Sequence, residues 1–362
     1  MSAGRPAGMA DVARLAGVSH QTVSRVLNNH PSVRPATRER VLAAMDDLSY
    51  RPNRLARALV TARSGLLGVV TSGSAKFGPM STLMAIEETA RAAGYSVHVT
   101  AVRPGEDDLL AAVARALGDF DSQAVEAVVV IAPRIRVVEA LADITSRAPL
   151  LLVAAGVEPS DRYVAVGADQ AAGARSALRH LVDLGHERIA LLTGPPDWLD
   201  ARERERGWHE ELAAAGLQPA HVWAGDWSAE AGYRVGQEIA SSASRPTAVA
   251  VANDQMALGL LRALGEAGID VPGDISVTGF DDIEGTDYFR PPLTTVRQDF
   301  TELAQAAMTE LLGAIEADRR AGDEPAREPA AGEGAEDGAG DRGAAAVVPE
   351  LVVRASTAPP TR

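Results

Sequence analysis

The chain has 362 residues, 46% of them hydrophobic, enough to bury a large core and to divide into more than one domain. It contains no Cys, which excludes thiol nucleophiles, disulfides and thiolate metal sites, and no apolar run near the roughly eighteen residues that cross a bilayer. The net charge of −14 is uneven: residues 1–64 hold ten Arg against four Asp and Glu, a net +6, so the other 298 residues carry −20.

A basic head on an acidic body suits a protein that lays one end on a polyanion. Arg5, Pro6 and Asp11 deny the N-terminus the apolar core of a signal peptide, so a cytoplasmic, nucleoid-associated protein with no membrane partner is expected.

From Met9 to Ala16 the apolar residues Val12, Leu15 and Ala16 recur at helical spacing, and Gly17 can adopt the positive φ of a helix end. Ser19 can cap a second helix whose buried stripe is Val23, Val26 and Leu27. Two helices joined by so tight a turn make a helix-turn-helix. On the second helix Gln21 and Arg25 share a face, with His20 at its edge. Arg suits the paired acceptors of guanine and Gln the donor and acceptor of adenine, while Thr22 and Ser24 suit phosphates. A third helix over residues 37–48, with Val41, Leu42, Met45 and Leu48, completes the small core. Residues 53–59 are too few for a stable helix alone and predict a conditional hinge.

These residues carry a resemblance. The runs Asp11-Val12-Ala13, Ala16-Gly17-Val18-Ser19 and Thr22-Val23-Ser24-Arg25-Val26-Leu27-Asn28, then Arg51-Pro52-Asn53 and Ala56, resemble the head of the LacI/GalR repressor family. The resemblance implies a homodimer on double-stranded operator DNA, with Ser19, His20, Gln21, Thr22, Ser24, Arg25, Asn28 and Asn53 at the DNA. It also implies that the hinge helices of two subunits pair and that Leu59 wedges into the minor groove, where unstacking a step is offset by contacts around the bend.

After Ser64, short β-rich runs alternate with longer helical ones. Residues 66–71, 95–102, 127–131 and 150–153, then 189–192, 248–251 and 275–280, read as strands. Continuous apolar strands separated by helices predict parallel sheets covered on both faces, here two doubly wound lobes, an α/β body like that of periplasmic binding proteins behind a small all-α head. Ligands of such sheets sit beyond the carboxyl ends of the strands, where Asn253 and Asp254 follow one strand and Asp281 and Asp282 another. Arg204 is aimed similarly, and Trp227 could cover the apolar face of a sugar. Singly, each has an equally ordinary role, Asp254 or Asp282 as a helix cap and Trp227 as core.

The stretches Gly207-Trp208-His209, 225–229, 251–259, 291–295 and 298–300 resemble sugar-responsive members of the same family. That resemblance implies Arg204, Asn253, Asp281 and Gln298 on sugar hydroxyls, Trp227 and Phe300 lining the pocket, and Ser72 and Pro79 contributing from the N-terminal lobe. It breaks on one side. After the fourth strand the chain reads Val153-Ala154-Ala155-Gly156 where a sugar-contacting Asp is expected, Ile131-Ala132-Pro133 lacks a pocket Asn, and Ala168 and Asp200 replace Phe and Ser. A β-galactoside inducer is expected, with another glycoside or disaccharide as the alternative.

Residues 317–346 are Gly, Ala, Pro, Glu and Asp without apolar period and predict a disordered acidic insertion. No leucine heptads follow it, so a dimer rather than a tetramer is expected. The expected division is 1–52 for the head, 53–64 for the hinge, 65–167 with 298–316 for the N-terminal lobe, and 168–297 with 347–356 for the C-terminal lobe. No phosphate loop, His-Glu-x-x-His or nucleophile elbow occurs, and His180, His186 and His209 lack metal-ligand company; the expectation is a repressor without cofactor, metal or catalysis.

Overall fold

A computed structural model describes residues 7–27, 30–50, 63–72, 76–102, 109–323 and 345–361. The chain divides into two units, residues 1–65 and 66–362.

In the first unit, α1 (Met9–Ala16) ends at Gly17, whose φ of 63° is the left-handed conformation a side chain would resist. Next, α2 (His20–Leu27) starts under Ser19, whose hydroxyl accepts from the Thr22 amide at 3.1 Å. Finally, α3 (Pro35–Asp47) packs across both. The core is Val12, Ala13, Ala16, Val23, Val26, Val41 and Ala44, flanked by half-buried Met45 and Leu48. Two expected core residues are not in it: Leu15 is 53% and Leu42 47% exposed. Each neighbours the residue that faces inward, since Ala16 and Val41 already fill the small space between three short helices. Asn28, Asn53, Leu59 and the hinge through residue 62 lie outside the described residues.

The second unit holds two sheets. Strands β1 (Leu66–Thr71), β2 (Ser96–Ala101), β3 (Ala127–Ile131), β4 (Leu150–Val153), β5 (Val164–Ala168) and β11 (Ala345–Val347) form one parallel sheet in the order β11-β5-β4-β3-β1-β2. Helices α4 (Phe77–Ala92), α5 (Leu109–Ser122), α6 (Ile135–Ala142) and α11 (Phe300–Asp323) accompany it. Its two faces carry separate apolar clusters, one around Leu67, Val129, Leu151 and Leu311, the other around Phe120, Val128 and Leu152. Strands buried on both faces need continuous apolar runs, as β3 and β4 have.

The second sheet has the order β7-β6-β8-β9, from β6 (Ile189–Thr193), β7 (Val222–Ala224), β8 (Ala248–Val251) and β9 (Ser276–Thr278). Helices α7 (Gln170–Asp183), α8 (Leu199–Ala214), α9 (Ala229–Ser241) and α10 (Asp254–Glu266) belong to this lobe. Close helix packing depends on glycine here. A Cβ on Gly232 would lie 1.8 Å from the Met256 carbonyl oxygen and one on Gly259 1.8 Å from that of Ala229, which brings α9 against α10. A short antiparallel pair, β10 (Thr295–Arg297) with β12 (Glu350–Val352), lies between the lobes in sequence. The chain passes from lobe to lobe three times, at 168–170, 297–300 and 347–350, and the Asp169 amide donates to the Val347 carbonyl at 2.8 Å across two of these passages.

Two tail expectations are corrected. Residues 317–323 are the end of α11 rather than a disordered run, held by an ion pair of Arg319 with the Glu126 carboxylate; residues 324–344 lie outside the described residues. Val347 belongs to the first sheet, paired with Ala168, and not to the C-terminal lobe. Only after it does the chain cross, to end with Ser356 bonded to the Thr294 amide and the Val277 carbonyl.

Candidate functional site

The carboxyl ends of the strands of both sheets face one cleft. The floor of the cleft is a closed ring of polar groups, of which Gln170, Arg204 and Asp281 are buried and Gln298 half-buried. Arg204, on α8 and 3% exposed, donates through Nε to Gln170 Oε1 at 2.9 Å and through Nη2 to Asp281 Oδ1 at 3.1 Å. Gln298 donates to the same Asp281 oxygen at 2.8 Å, and Gln170 donates to Gln298 at 2.7 Å, which closes the ring. The remaining guanidinium nitrogen donates to the Ala252 carbonyl, and the guanidinium lies 3.7 Å from the centroid of the Phe280 ring. Three guanidinium bonds and a second donor on Asp281 Oδ1 offset the cost of burying this ion pair, while Asp281 Oδ2 takes no hydrogen bond from the described residues.

Burial pushes the Asp281 carboxyl up to about 6, against the pull of Arg204. The backbone is strained beside it: Asp281 has φ 108° and Trp227 φ 70°, conformations that non-glycine residues hold only when surroundings impose them. For Asp281 the imposing contacts are its own amide on the Val296 carbonyl at 2.8 Å and the two side-chain bonds above.

Two connected spaces open above the ring. The larger, about 240 Å³, is lined by Lys76, Pro79, Trp198, Asp200, Arg204, Trp227, Asn253 and Asp281 among others. Trp227 packs edge-on against Trp198 at 5.6 Å and fits only because residue 194 is glycine, where a Cβ would stand 2.3 Å from its ring. Its indole N–H is buried with no partner among the described residues. The smaller space, a recess of about 40 Å³ on the N-terminal-lobe side, is walled by Ile131, Val153, Ala154, Ala155, Gly167 and Ala168, with Gln298 and Phe300 at its mouth. Phe300 is braced by Phe77 in an edge-to-face pair at 5.7 Å.

The structure therefore gathers Pro79, Arg204, Trp227, Asn253, Asp281, Gln298 and Phe300 at one cleft. Ser72, at the end of β1, lines neither space, and its hydroxyl is buried without a partner among the described residues. Asn253 lines the cleft with its polar atoms engaged: its oxygen caps α10 at the Met256 amide, 2.9 Å, and its nitrogen donates to the Trp227 carbonyl and to Gln255. Asp254 is no cap; it is wholly buried, accepts from Thr295 and the Ile283 amide, and burial beside Asp281 pushes its carboxyl up to about 8. Asp282 is engaged by Arg297 and Arg354, which fasten the C-terminal segment. His186 is likewise structural, bonded to Thr247, Ser276 and the Ala358 carbonyl. Sequence reasoning missed Gln170 and the placement of Lys76, whose ammonium reaches the Asp226 carbonyl at 3.1 Å from the opposite lobe.

In the head, His20, Gln21 and Arg25 are exposed on α2, opposite the buried Val23 and Val26, while Thr22 is half-buried and shares a 2.9 Å hydrogen bond with Ser19. This face offers donors suited to base edges and phosphates. Among the described residues no cluster of three His, Asp or Glu could hold a metal, and no helix is long and apolar enough to cross a membrane.

Residues 8–53 match the model of bacterial regulatory proteins, lacI family, and residues 178–332 that of the periplasmic binding protein-like domain. The chain is 40% identical over 322 residues to the lactose operon repressor of Escherichia coli (strain K12), spanning 85% of this chain and 84% of that one. The crystal structure of the Lac repressor dimer bound to operator and the anti-inducer ONPF superposes with a TM-score of 0.77 at 36% identity, over 98% of this chain and 100% of that one. The complex of the transcriptional regulator CelR with cellobiose gives 0.65 at 28% identity, over 97% and 99%. A helix-turn-helix head on a two-lobed binding-protein body is the build of a bacterial transcription regulator. The chain belongs to the LacI family of DNA-binding transcriptional repressors with a sugar-binding domain.

Proposed function

We propose that the protein is a cytoplasmic, homodimeric repressor, without catalytic activity, that is released from a near-palindromic operator when a glycoside, best a β-galactoside, enters the cleft. The observation that carries this reading is the polar ring of Arg204, Asp281, Gln298 and Gln170, which presents charged and amide groups to a cavity edged by Trp227 and Phe300. Fixed donors and acceptors beside an aromatic wall suit a neutral polyol. His20, Gln21 and Arg25 read bases, with Ser19, Thr22, Ser24, Asn28 and Asn53 positioning the head on phosphates and Leu59 acting in the minor groove. Sugar binding favours one arrangement of the lobes over another and so changes the operator affinity of the paired heads.

A second reading, release by another disaccharide, is favoured by Ala154, Ala155 and Ala168, which leave the recess without a carboxylate on the β4 side. The CelR structure holds cellobiose on the same architecture. The test is fluorescence anisotropy of a labelled lactose-operator-like palindrome at fixed salt, with allolactose or cellobiose added. Tight binding released by allolactose supports the first reading, and release by cellobiose alone supports the second. Binding that no sugar alters would refute both.

A further inference from the structure

We infer that the C-terminal lobe carries a second small-molecule site, remote from the cleft, which takes an oxyanion borne on a single planar ring. The guanidinium groups of Arg188 and Arg245 receive the oxyanion, a carboxylate or a phosphate, and the rings of His221 and Trp223 receive the ring. The site is a space of about 280 Å³ beyond the amino ends of β6, β7 and β8, whereas the cleft lies at their carboxyl ends, and the two share no lining residue.

The backbone fixes these residues before any ligand arrives. Arg188 directly precedes β6 and its carbonyl accepts from the Thr247 amide at 2.9 Å; His221 directly precedes β7 and its carbonyl accepts from the Leu191 amide at 2.9 Å. Side chains alternate along an extended segment, so His221 and Trp223 share a side, and their rings meet at 4.2 Å. The turn after α9 is fastened over them. Arg245 donates to the Ala240 carbonyl at 2.9 Å, at the carboxyl end of α9, and Arg188 donates to the Arg245 carbonyl at 2.7 Å. The Ser242 hydroxyl accepts from the Ser244 amide at 3.2 Å, and buried Ile239 and Pro246 complete the lining.

Each of the two guanidinium groups spends one of its five N–H donors on a carbonyl, and neither has a carboxylate partner among the described residues. The one acidic residue lining the space, Glu238, is turned to the Trp223 indole N–H at 2.9 Å. Elsewhere on this lobe Arg175, Arg179, Arg206, Arg262 and Arg354 each meet a carboxylate. Holding a turn asks for one donor; the remaining donors of a planar fork match the paired oxygens of a carboxylate or phosphate. Arg188 and Arg245 are exposed, so an oxyanion alone gains little over water there. The half-buried Trp223 ring, His221 and Ile239 add the surface that a flat ring covers. At about 280 Å³ the space falls just under the roughly 300–1,000 Å³ of drug-sized ligand sites, which limits the ligand to about one ring with its substituents.

The experiment is isothermal titration of the full-length protein with benzoate, phenyl phosphate, inorganic phosphate and benzyl alcohol at fixed ionic strength, beside Arg188→Gln, Arg245→Gln and His221→Ala. The indole N–H resonances are followed by NMR, with the Trp223 signal assigned by Trp223→Phe, and the thermal midpoint of each variant is recorded. Benzoate or phenyl phosphate should bind and move the Trp223 signal, and benzyl alcohol should bind at least roughly tenfold more weakly. Each Arg variant should weaken the preferred anion by roughly fivefold to tenfold. His221→Ala removes a ring that makes no hydrogen bond among the described residues, so its severalfold loss reads the site even if an Arg variant lowers the midpoint. Tighter benzoate assigns the oxyanion to a carboxylate, and tighter phenyl phosphate assigns it to a phosphate. The inference is overturned if neither aromatic anion binds, or if binding leaves the Trp223 signal in place and all three substitutions without effect. Benzyl alcohol as tight as benzoate overturns the oxyanion requirement, and inorganic phosphate as tight as phenyl phosphate overturns the ring requirement.

Discussion

Replacing Asp281 by Asn tests the ring at its most connected point. The carboxylate accepts both the Arg204 and the Gln298 hydrogen bonds on Oδ1, at 3.1 and 2.8 Å, and Oδ2 takes no hydrogen bond from the described residues of the protein. Asn keeps one oxygen but puts an N–H₂ where a sugar hydroxyl would donate, and it leaves the guanidinium of Arg204, buried at 3% exposure, without its counter-charge. Loss of a charged acceptor costs about 1.5–3 kcal/mol of ligand binding, roughly a ten- to hundredfold rise in Kd. The orphaned guanidinium adds a destabilisation of about 3–5 kcal/mol to the folded body. Calorimetric titration with the releasing sugar reads the first and thermal unfolding the second. Operator anisotropy without sugar checks that the head still binds. The wild-type carboxyl stands at about 6, so wild-type sugar affinity should fall as pH drops through that value while the Asn variant stays flat. Sugar binding by Asp281→Asn within twofold of wild type would refute the assignment.

Arg25→Ala should weaken specific operator binding by about 1–3 kcal/mol and leave sugar affinity unchanged, measured by anisotropy and titration on the same preparations. Asp254→Asn addresses pH dependence. The folded carboxyl is raised to about 8, so the native state holds an extra proton between about pH 4 and 8; the stability this gives is complete below the unfolded value and is lost as pH rises through 8. Denaturation between pH 5 and 9 should show the wild type weakening with pH, by up to about 1.4 kcal/mol per unit from this group, and the Asn variant with a flatter profile. Gly232→Ala forces a methyl to 1.8 Å from the Met256 carbonyl, a backbone atom that cannot swing aside, and should lower stability by about 2–3 kcal/mol or more in thermal unfolding.

Long apolar runs were readable because burial on both faces of a parallel sheet demands them: β1, β3, β4 and β8 stand where the pattern put them. Strands β5 and β7 escaped notice for the opposite reason. In Val164–Ala168 the small Ala and Gly dilute the apolar signal, and Val222–Ala224 is a three-residue, half-exposed edge strand. Overlooking β5 hid Gln170, which follows its carboxyl end just as Asp281 follows the β9 strand. The helical end of α11 went unread because Arg319 is fixed by Glu126, a partner 193 residues away that no local pattern reveals. Charged residues named individually proved harder still: Asp254, Asp281 and Asp282 lie within one acidic neighbourhood, yet one is fully buried on neutral donors, one belongs to the ring and one fastens the C-terminal segment.

The three passages between the lobes run side by side, and Gln170 and Gln298 stand on two of them. The polar ring thus sits on the spans that would form the axle of any rotation between the lobes. A body joined by three neighbouring spans resists sliding and stretching, and what remains open to it is rotation about that axle. In such a rotation a displacement of a fraction of an ångström at Gln170 and Gln298 would be magnified with distance from the axle, and the far edges of the lobes would sweep through the largest arc.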